Sequence, residues 1–322
     1  MKTLKKLFFI CIPCLIITSG CNKDKNEKQL QLSFNVQNLT NPQEPDGSID
    51  LKISGGIDPY QIKWSNGDST EDIVNISSGK YVVTVKDALN DSICDSTIVE
   101  GPPVLLYFGQ SYFEIISRQG IRIVADPSTT HMPNTPPRGH ADVVIASHSH
   151  TDHTSYGLAQ GYSLRILPGT TDTTINYGDV SIVGYQSEHG KLDGTNMGSN
   201  TIYIFTVGDK KIAHLGENRE ITEANILTAL QDVDIMLAPA GEAASMSIPE
   251  IFKLADKVNT GTIIPHHYCY DATDDFYGST TIDEFLDAIP GNYELIESDI
   301  LYLDEDLGDN KVLYLHPVKE LL

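Results

Sequence analysis

The sequence predicts two folded parts, an all-β sandwich followed by a layered α/β domain. In residues 32–103, short segments with alternating apolar and polar residues are separated by Gly, Pro and Asp, as in antiparallel sheets. After residue 104, strand patterns come first and then alternate with helix patterns, which is typical of α/β layers. The 322 residues, 40% of them hydrophobic, are enough to build two cores.

The amino terminus has the pattern of a secretory signal. Three lysines precede an apolar run at 7–17 that is too short to span a membrane stably. The next four residues, Thr-Ser-Gly-Cys ending at Cys21, resemble the cleavage box of bacterial lipoproteins, although Thr18 stands where an aliphatic residue is usual. The resemblance implies removal of residues 1–20 and lipidation of Cys21. This would anchor the protein to the outer membrane of the cell envelope, facing the periplasm or the surface. A plain secretory signal is the alternative.

Residues 21–31 are polar and charged, and we interpret them as a tether. Once the signal is removed and Cys21 carries a lipid, only Cys94 and Cys269 remain, in different predicted domains. No disulfide framework is therefore predicted, although the compartment would permit one.

The β module, residues 32–103, is predicted from four alternating segments and the turns between them. Its Trp64 is the only Trp of the chain and is expected to anchor the core. The motifs Asp-Gly-Ser-Ile, Ser-Gly-Gly, Trp-Ser-Asn-Gly and Gly-Lys-Tyr within this module resemble the SprB-type repeat of Bacteroidetes surface proteins. The resemblance implies an Ig-like spacer or adhesion unit that could meet a cell-surface partner.

The second domain, residues 104–322, is predicted to begin after the stiff sequence Gly-Pro-Pro. A run of hairpins leads to Asp126, and further strands are expected at 143–146, 180–183, 201–206 and 211–215. Helices are expected from Thr222 and after two capping boxes, which begin at Ser247 and Thr281.

The most informative segment is Ser-His-Ser-His-Thr-Asp-His at 147–153, which directly follows an apolar strand. In extended backbone, residues at i and i+2 share a face, so His148 and His150 can address one point. After a turn, Asp152 and His153 can address a second point. Imidazole and carboxylate are the usual ligands of zinc-like cations, and the carboxyl ends of strands commonly form α/β sites.

Net charge narrows the classes of function. The formal net charge of -22 disfavours a nucleic-acid substrate, because phosphate backbones need a basic surface. A nuclease is therefore the least favoured reading. All ten histidines lie at or after His131, which confines the predicted chemistry to the second domain.

HxHxDH after an apolar strand resembles the signature of the metallo-β-lactamase superfamily. The segments at 213–216, 233–241 and 263–268 make the sequence similar to the UlaG-like branch of metal-dependent hydrolases over about residues 105–270. The resemblance implies an αββα sandwich and two divalent metal ions, zinc first and manganese as the alternative. It also implies the following ligands: His148, His150 and His189 for one metal, Asp152, His153 and His267 for the other, and Glu217 as a bridge.

Two residues depart from the branch. Glu217 replaces the usual Asp, and its extra methylene could leave the second metal displaced, weak or absent. Gln110 replaces a frequent His in the first hairpin. Asp126 fits the Asp-Pro turn and is expected to orient a ligand without binding metal. His266 competes with His267, which fits the Pro-x-His-Tyr pattern better.

The implied activity is hydrolysis of a small ester, lactone or related bond by a metal-bound hydroxide. Asp152 is expected to orient the attacking water, and Tyr268 either contacts the oxyanion or only packs beside the site. Loops 128–138 and 270–279 should set specificity. The second is acidic, and nearby cations are few, which favours a neutral or cationic substrate over a phosphorylated one. The alternative is a surface binding or adhesion protein with a degenerate metal domain.

Overall fold

The computed structural model describes residues 29–42, 44–192, 195–240, 245–270 and 280–318. The predicted signal, Cys21 and most of the tether lie outside these ranges, as does the loop 271–279. Across the described ranges, no helix has both the length and the apolar character needed to cross a membrane.

The β module is a sandwich of two antiparallel sheets. Its strands are β1 (Gln31–Gln37), β2 (Gly47–Ser54), β3 (Gln61–Trp64), β4 (Ile73–Ile76), β5 (Gly79–Lys86) and β6 (Ser92–Val99). One sheet has the order β1-β2-β4 and the other β3-β5-β6. Trp64 is buried between them, and its Nε1 donates a hydrogen bond to the Thr70 carbonyl at 3.0 Å. The all-β prediction and the core role of Trp64 are confirmed.

The second domain is built on two larger sheets. Its first strands are β7 (Val104–Gly109), β8 (Tyr112–Ile116), β9 (Arg122–Ala125), β10 (Gly139–His140), β11 (Val143–Ile145), β12 (Ala159–Gln160), β13 (Leu164–Ile166), β14 (Thr174–Tyr177) and β15 (Val180–Glu188). The later strands are β16 (Lys191–Leu192), β17 (Thr195–Asn196), β18 (Ser199–Val207), β19 (Lys210–His214), β20 (Ile235–Pro239), β21 (Thr262–His266), β22 (Glu294–Ser298), β23 (Leu301–Tyr302) and β24 (Lys311–Leu315).

These strands form the layers of the predicted fold. The first sheet has the order β13-β11-β9-β8-β7-β23, and the second has the order β14-β15-β18-β19-β20-β21-β24-β22. Apolar side chains of both sheets, such as Phe113, Ile123 and Phe205, belong to one buried cluster. Burial of this apolar surface between the sheets is the main stabilising contribution.

Three α-helices are present in the described ranges: α1 (Ala224–Ala229), α2 (Ile248–Val258) and α3 (Ile282–Asp287). Both predicted capping boxes are formed, by Ser247 with Glu250 and by Thr281 with Glu284. The first helix begins two residues after the predicted Thr222, and Glu223 is its N-cap. Buried residues of all three helices join the cluster between the sheets.

The outer face of the first sheet is covered differently. Its apolar residues, including Phe108, Tyr112 and Val144, pack against Met132 and Leu158. Leu158 belongs to one of two 3-10 turns, at Thr151–His153 and Tyr156–Leu158. In the described part of the chain, turns and a loop therefore cover this face where the predicted αββα layering has helices.

Candidate metal centre

Four strands deliver the candidate ligands, each directly after the strand ends. β11 leads into the segment 148–153, β15 into His189, β19 into Glu217 and β21 into His267. The register of the second sheet makes β15, β19 and β21 run in the same direction, so their carboxyl ends meet at one edge. This is the edge at which α/β sheets usually form their sites.

The first ligand group contains His148, His150, His189 and Glu217, whose candidate atoms all lie within 4.8 Å of one another. His148 Nε2 is 3.1 Å from His150 Nδ1, as the i and i+2 spacing predicts. His189 Nε2 is 2.5 Å from Glu217 Oε2. Only His150 is partly exposed, so the group opens to solvent on its side.

The second ligand group contains Asp152, His153, His267 and Glu217, again with all candidate atoms within 4.8 Å. Asp152 Oδ2 is 3.7 Å from His153 Nε2 and 3.5 Å from His267 Nε2. The 3-10 turn at Thr151–His153 turns the chain after His150, which directs Asp152 and His153 away from the first group.

Glu217 belongs to both groups, with one carboxylate oxygen in each. Its Oε2 lies near His189 and is 3.8 Å from His148 Nε2. Its Oε1 is 3.2 Å from His153 Nε2 and also contacts His267 Nε2. The extra methylene therefore does not carry the carboxylate out of reach of the second group.

The residues present fit a metal centre. Imidazole nitrogens and carboxylate oxygens are the donors that zinc-like cations take. His189 Nε2 is buried and makes no hydrogen bond, although Glu217 Oε2 is its close neighbour. A buried polar atom left without a hydrogen bond is costly, and a cation bound by both atoms would remove that cost.

The charge states of Glu217, Asp152 and His148 also suit cation binding. Burial would raise the pKa of Glu217, but the neighbouring His267, His153 and His189 outweigh it and hold this pKa well below its usual range. Burial opposes ionisation of Asp152 as well, yet its hydrogen bond with His267 and the nearby His153 lower its pKa to about 2. Burial lowers the pKa of His148 well below its usual range. Charged carboxylates and a neutral imidazole are the forms that bind metals.

Asp126 lies behind the second group and is held by several donors. Its Oδ1 accepts a hydrogen bond from the backbone N–H of Ser147, and its Oδ2 accepts one from the Ser147 hydroxyl, both at 2.6 Å. His153 Nδ1 is 2.9 Å from the same Oδ2. Burial would raise the pKa of Asp126, but His153 and His214 lower it. The charged carboxylate thus fixes the His153 ring with Nε2 towards the ligand group, which is the orienting position predicted for Asp126.

The two adjacent histidines at the end of β21 have different surroundings. His267 lies in the second ligand group, has a left-handed φ of 57°, and donates its backbone N–H to the Gln110 carbonyl at 2.8 Å. His266 Nδ1 is 3.1 Å from the Ser111 hydroxyl, and its ring packs edge-on against Phe113. Of the pair, His267 is therefore the one placed to bind a cation.

Gln110 and Tyr268 lie in a buried layer beside His267. The Gln110 side chain donates from Nε2 to the His131 carbonyl at 3.1 Å, so it links the first hairpin to the loop 128–138. Tyr268 is fully buried among Tyr107, Tyr270 and Tyr314, and its hydroxyl makes no hydrogen bond. This position corresponds to the packing role of Tyr268 and does not offer its hydroxyl to a substrate.

The cations predicted to lie near the site are differently placed. Arg219 is held by Glu188 and Glu223, with N–O distances of 2.8 Å to each. Arg138 lines a surface cavity with Met132 and other residues of the loop 128–138. The side chain of Lys191 and the loop 271–279 lie outside the described residues.

Sequence reasoning missed the buried polar residues that connect the ligand-bearing segments. Asn200, at the start of β18, hydrogen-bonds to segments on both sides of Glu217, and Ser147 holds Asp126. One signal was available for Asn200, since an Asn directly before a long apolar strand has to be satisfied by hydrogen bonds if it is buried.

Comparisons with known proteins agree with this architecture. The profile of the β-lactamase superfamily domain matches residues 104–267, and that of the SprB repeat matches residues 33–69. A protein of Carboxydothermus hydrogenoformans named a metal-dependent hydrolase is 23% identical over 190 residues, which cover 51% of this chain and 84% of that protein. A protein of the same name from Methanosphaera stadtmanae is 27% identical over 194 residues, with coverage of 50% and 82%.

A crystal structure from Thermotoga maritima, described as a Zn-dependent hydrolase of the metallo-β-lactamase superfamily, is similar in three dimensions. It aligns with a TM-score of 0.53 and 25% sequence identity, covering 66% of this chain and 98% of that chain.

Proposed function

The chain belongs to the metallo-β-lactamase superfamily and is a metal-dependent hydrolase, and from this we propose that it cleaves a small ester, lactone or related bond with two divalent cations. The observation that carries the proposal is the division of the Glu217 carboxylate between two ligand groups. A carboxylate placed in this way can bind two cations at once.

Each cation has its own set of ligands. His148, His150 and His189 would hold one cation, and Asp152, His153 and His267 would hold the other. We assign zinc, with manganese as the alternative, because nitrogen donors outnumber oxygen donors and the similar protein of Thermotoga maritima is described as Zn-dependent. When bound, the cations supply Lewis acidity, which makes water nucleophilic near neutral pH and polarises the scissile carbonyl.

Asp152 orients the attacking water. Its side chain is 15% exposed and is the more open carboxylate of the second group, so a water molecule can reach it from the solvent side. Its pKa of about 2 keeps it charged at neutral pH, where it accepts a hydrogen bond from water. Because the pKa of Asp152 is so low, its carboxylate does not retain a proton. A proton that it takes from the water therefore passes on to solvent.

The substrate is neutral or cationic. A phosphorylated substrate would need an Arg or Lys free to pair with it, and Arg219 is already paired with Glu188 and Glu223. The net charge of -22 also repels anionic substrates at long range. Purified soluble chain should hydrolyse neutral lactones or esters faster than their phosphorylated counterparts. Turnover of the phosphorylated compounds alone would contradict this assignment.

We place the protein in the cell envelope, attached to the outer membrane through lipid on Cys21. The support is the basic and apolar amino-terminal pattern that ends at this cysteine. The β module would then act as a spacer or adhesion unit between the anchor and the hydrolase domain, in keeping with its match to the SprB repeat.

Metal analysis joined to a hydrolase screen tests the proposal. The soluble chain should retain about two divalent ions per molecule and hydrolyse members of an ester and lactone panel. The His150→Ala variant should lose more activity than the roughly 10- to 100-fold that loss of an orienting partner costs. His316→Ala is the matched control, since His316 pairs with Glu297 outside both groups. A chain that binds no metal would instead favour a surface binding or adhesion protein with a degenerate metal domain.

A further inference from the structure

Asn200 is a buried side chain that belongs to neither ligand group but connects the segments that carry them. It lies at the start of β18 and is 1% exposed. Its Nδ2, which carries two N–H groups, lies within hydrogen-bond distance of three acceptors: the Leu215 carbonyl at 2.8 Å, the Ser187 hydroxyl at 3.0 Å and Asn218 Oδ1 at 3.1 Å. Its Oδ1 accepts a hydrogen bond from the Glu217 backbone N–H at 3.2 Å.

These hydrogen bonds reach two of the segments that carry candidate metal ligands, and the backbone of the residue after Asn200 reaches a third. Ser187 lies two residues before His189, and Leu215 and Asn218 flank Glu217. The backbone N–H of Thr201 donates to the carbonyl of Ser147, the residue before His148, at 2.9 Å. The start of β18 is therefore the point at which the backbones carrying His148, His189 and Glu217 are joined.

The turn that carries Glu217 is shaped to receive the Asn200 amide. Gly216 has a left-handed φ of +61°, and a Cβ added there would lie 2.2 Å from Asn200 Oδ1 and 2.7 Å from Ser147 Cβ. Backbone and amide approach more closely than any residue with a Cβ would allow. The backbone at Gly216 thus lies between the Asn200 amide and Ser147, and the next residue, Glu217, is bonded to Asn200 through its backbone N–H.

An amide is the group that satisfies this position. The Leu215 carbonyl and Asn218 Oδ1 accept, whereas the Glu217 N–H donates, so the side chain must present donors and an acceptor together. Aspartate has the same shape but no donor when ionised, and it would face these acceptors with a negative charge. Alanine would leave the same groups buried and unsatisfied.

Building on the proposed function, we propose that Asn200 is a positioning residue that fixes the Glu217 backbone so that the two carboxylate oxygens stay divided between the two ligand groups. A glutamate has one more rotatable bond than the aspartate that is usual at this position. A rigid backbone is therefore what allows a longer side chain to place both oxygens reproducibly.

The test measures metal binding directly in the full soluble chain. Asn200→Asp and Asn200→Ala should lower zinc affinity by roughly 10- to 100-fold, reduce kcat with little change in KM, and alter the visible spectrum of the cobalt-substituted chain. Asn259→Asp is the matched control, because Asn259 Nδ2 donates to Asp232 Oδ1 at 2.9 Å at the end of α2. This control should lose some stability and keep the parent's zinc affinity and cobalt spectrum.

A double-mutant cycle separates positioning from general stability. If Asn200 acts through Glu217, the losses in zinc affinity for Asn200→Ala and Glu217→Asp should not be additive. Additive losses, or an Asn200→Asp variant that is less stable but binds zinc like the parent, would overturn the inference.

If the Asn200 variants do not fold, Ser187→Ala removes one partner of the amide, and parent-like zinc affinity in that variant would overturn the inference equally. A parent chain that binds no zinc would refute the proposed function itself.

Discussion

Glu217 is one methylene longer than the aspartate that is usual at its position, yet it reaches both ligand groups. Its charge survives full burial because His267, His153 and His189 surround it and lower its pKa. His267 shows the reverse effect, since burial alone would lower its pKa but Glu217 raises it to about 9. The electrostatics of the centre therefore depend on whether a cation or protons balance the carboxylates.

In the metal-free chain, the free energy of unfolding should fall as pH rises. The pKa of His267 in the folded, metal-free chain is about 9, above its ordinary value of 6.5, so its protonation contributes stability that is complete below pH 6.5 and is lost as pH rises through 9. Urea unfolding of the chelated chain between pH 6.5 and 9 measures this loss. His267→Asn should weaken this pH dependence without abolishing it, because the pKa of His153 is raised as well: burial would lower it, but Asp126 and Glu217 outweigh burial. An unfolding free energy that rises over this interval would contradict the raised pKa of His267.

Residue types and spacing allowed four candidate ligands to be predicted, because HxHxDH confines them to one short segment after a strand. His189, Glu217 and His267 were predicted only from the family resemblance. The choice of His267 over His266 rested on a motif, and the hydrogen bond from the His267 backbone to Gln110 gives it a structural basis. The role of Asn200 could not be predicted, since its partners Ser187 and Leu215 are 13 and 15 positions away. Only the pairing of β15, β18 and β19 brings them together.

At the scale of elements, the strand ends determine where the chemistry lies. Strands β15, β19 and β21 end at one edge, and each ligand follows within a few residues of the strand end. The strands expected at 143–146, 180–183, 201–206 and 211–215 and both capped helices were predictable from local periodicity and capping residues. Other strands of the two large sheets, such as β13 and β22, were not predicted. The turns that cover the outer face of the first sheet were not predictable, because their short sequences carry no periodic pattern.

Gly216 provides a test of the turn that follows β19. Gly216→Ala should displace Glu217 and lower metal content and activity together, because the new Cβ would overlap Asn200 Oδ1 at 2.2 Å. Gly208→Ala is the matched control, since Gly208 has a similar φ of +63° and nothing lies within 4 Å of an added Cβ. The control should lose about 1 kcal/mol of stability and keep its metal. Equal metal content in both variants would show that the turn does not position the carboxylate.

At the scale of the whole molecule, the two folded parts have separate cores and contact each other through their backbones. The Gly101 N–H donates to the Arg118 carbonyl at 2.8 Å, and Gly120 lies against the Ser78 backbone. All candidate ligands lie between His148 and His267, within the second domain. Among the residues that the structure describes, the β module therefore contributes no member of either ligand group.

Residues 104–322 produced alone should therefore keep the metal content and kcat of the full soluble chain. Metal analysis and steady-state kinetics on both proteins test this expectation. The β module, residues 32–103, produced in the same way should bind no zinc above background. A loss of metal in the isolated hydrolase domain would show that the β module stabilises the site.

Replacement of Cys21 tests the proposed anchor. The Cys21→Ser variant should lose incorporation of labelled fatty acid and move from the membrane fraction to the soluble fraction, because a serine offers no thiol for lipidation. Cys94→Ser is the matched control, since Cys94 is an exposed thiol of the β module. Fatty-acid labelling that persists in the Cys21→Ser variant would show that the lipid is attached to another residue.

Anomalous X-ray diffraction from zinc-loaded crystals tests the central claim most directly. We predict two anomalous peaks, one beside His148, His150 and His189 and the other beside Asp152, His153 and His267, with the Glu217 carboxylate between them. A single peak, or Glu217 turned away from one of the two positions, would contradict the shared carboxylate on which the proposed hydrolysis depends.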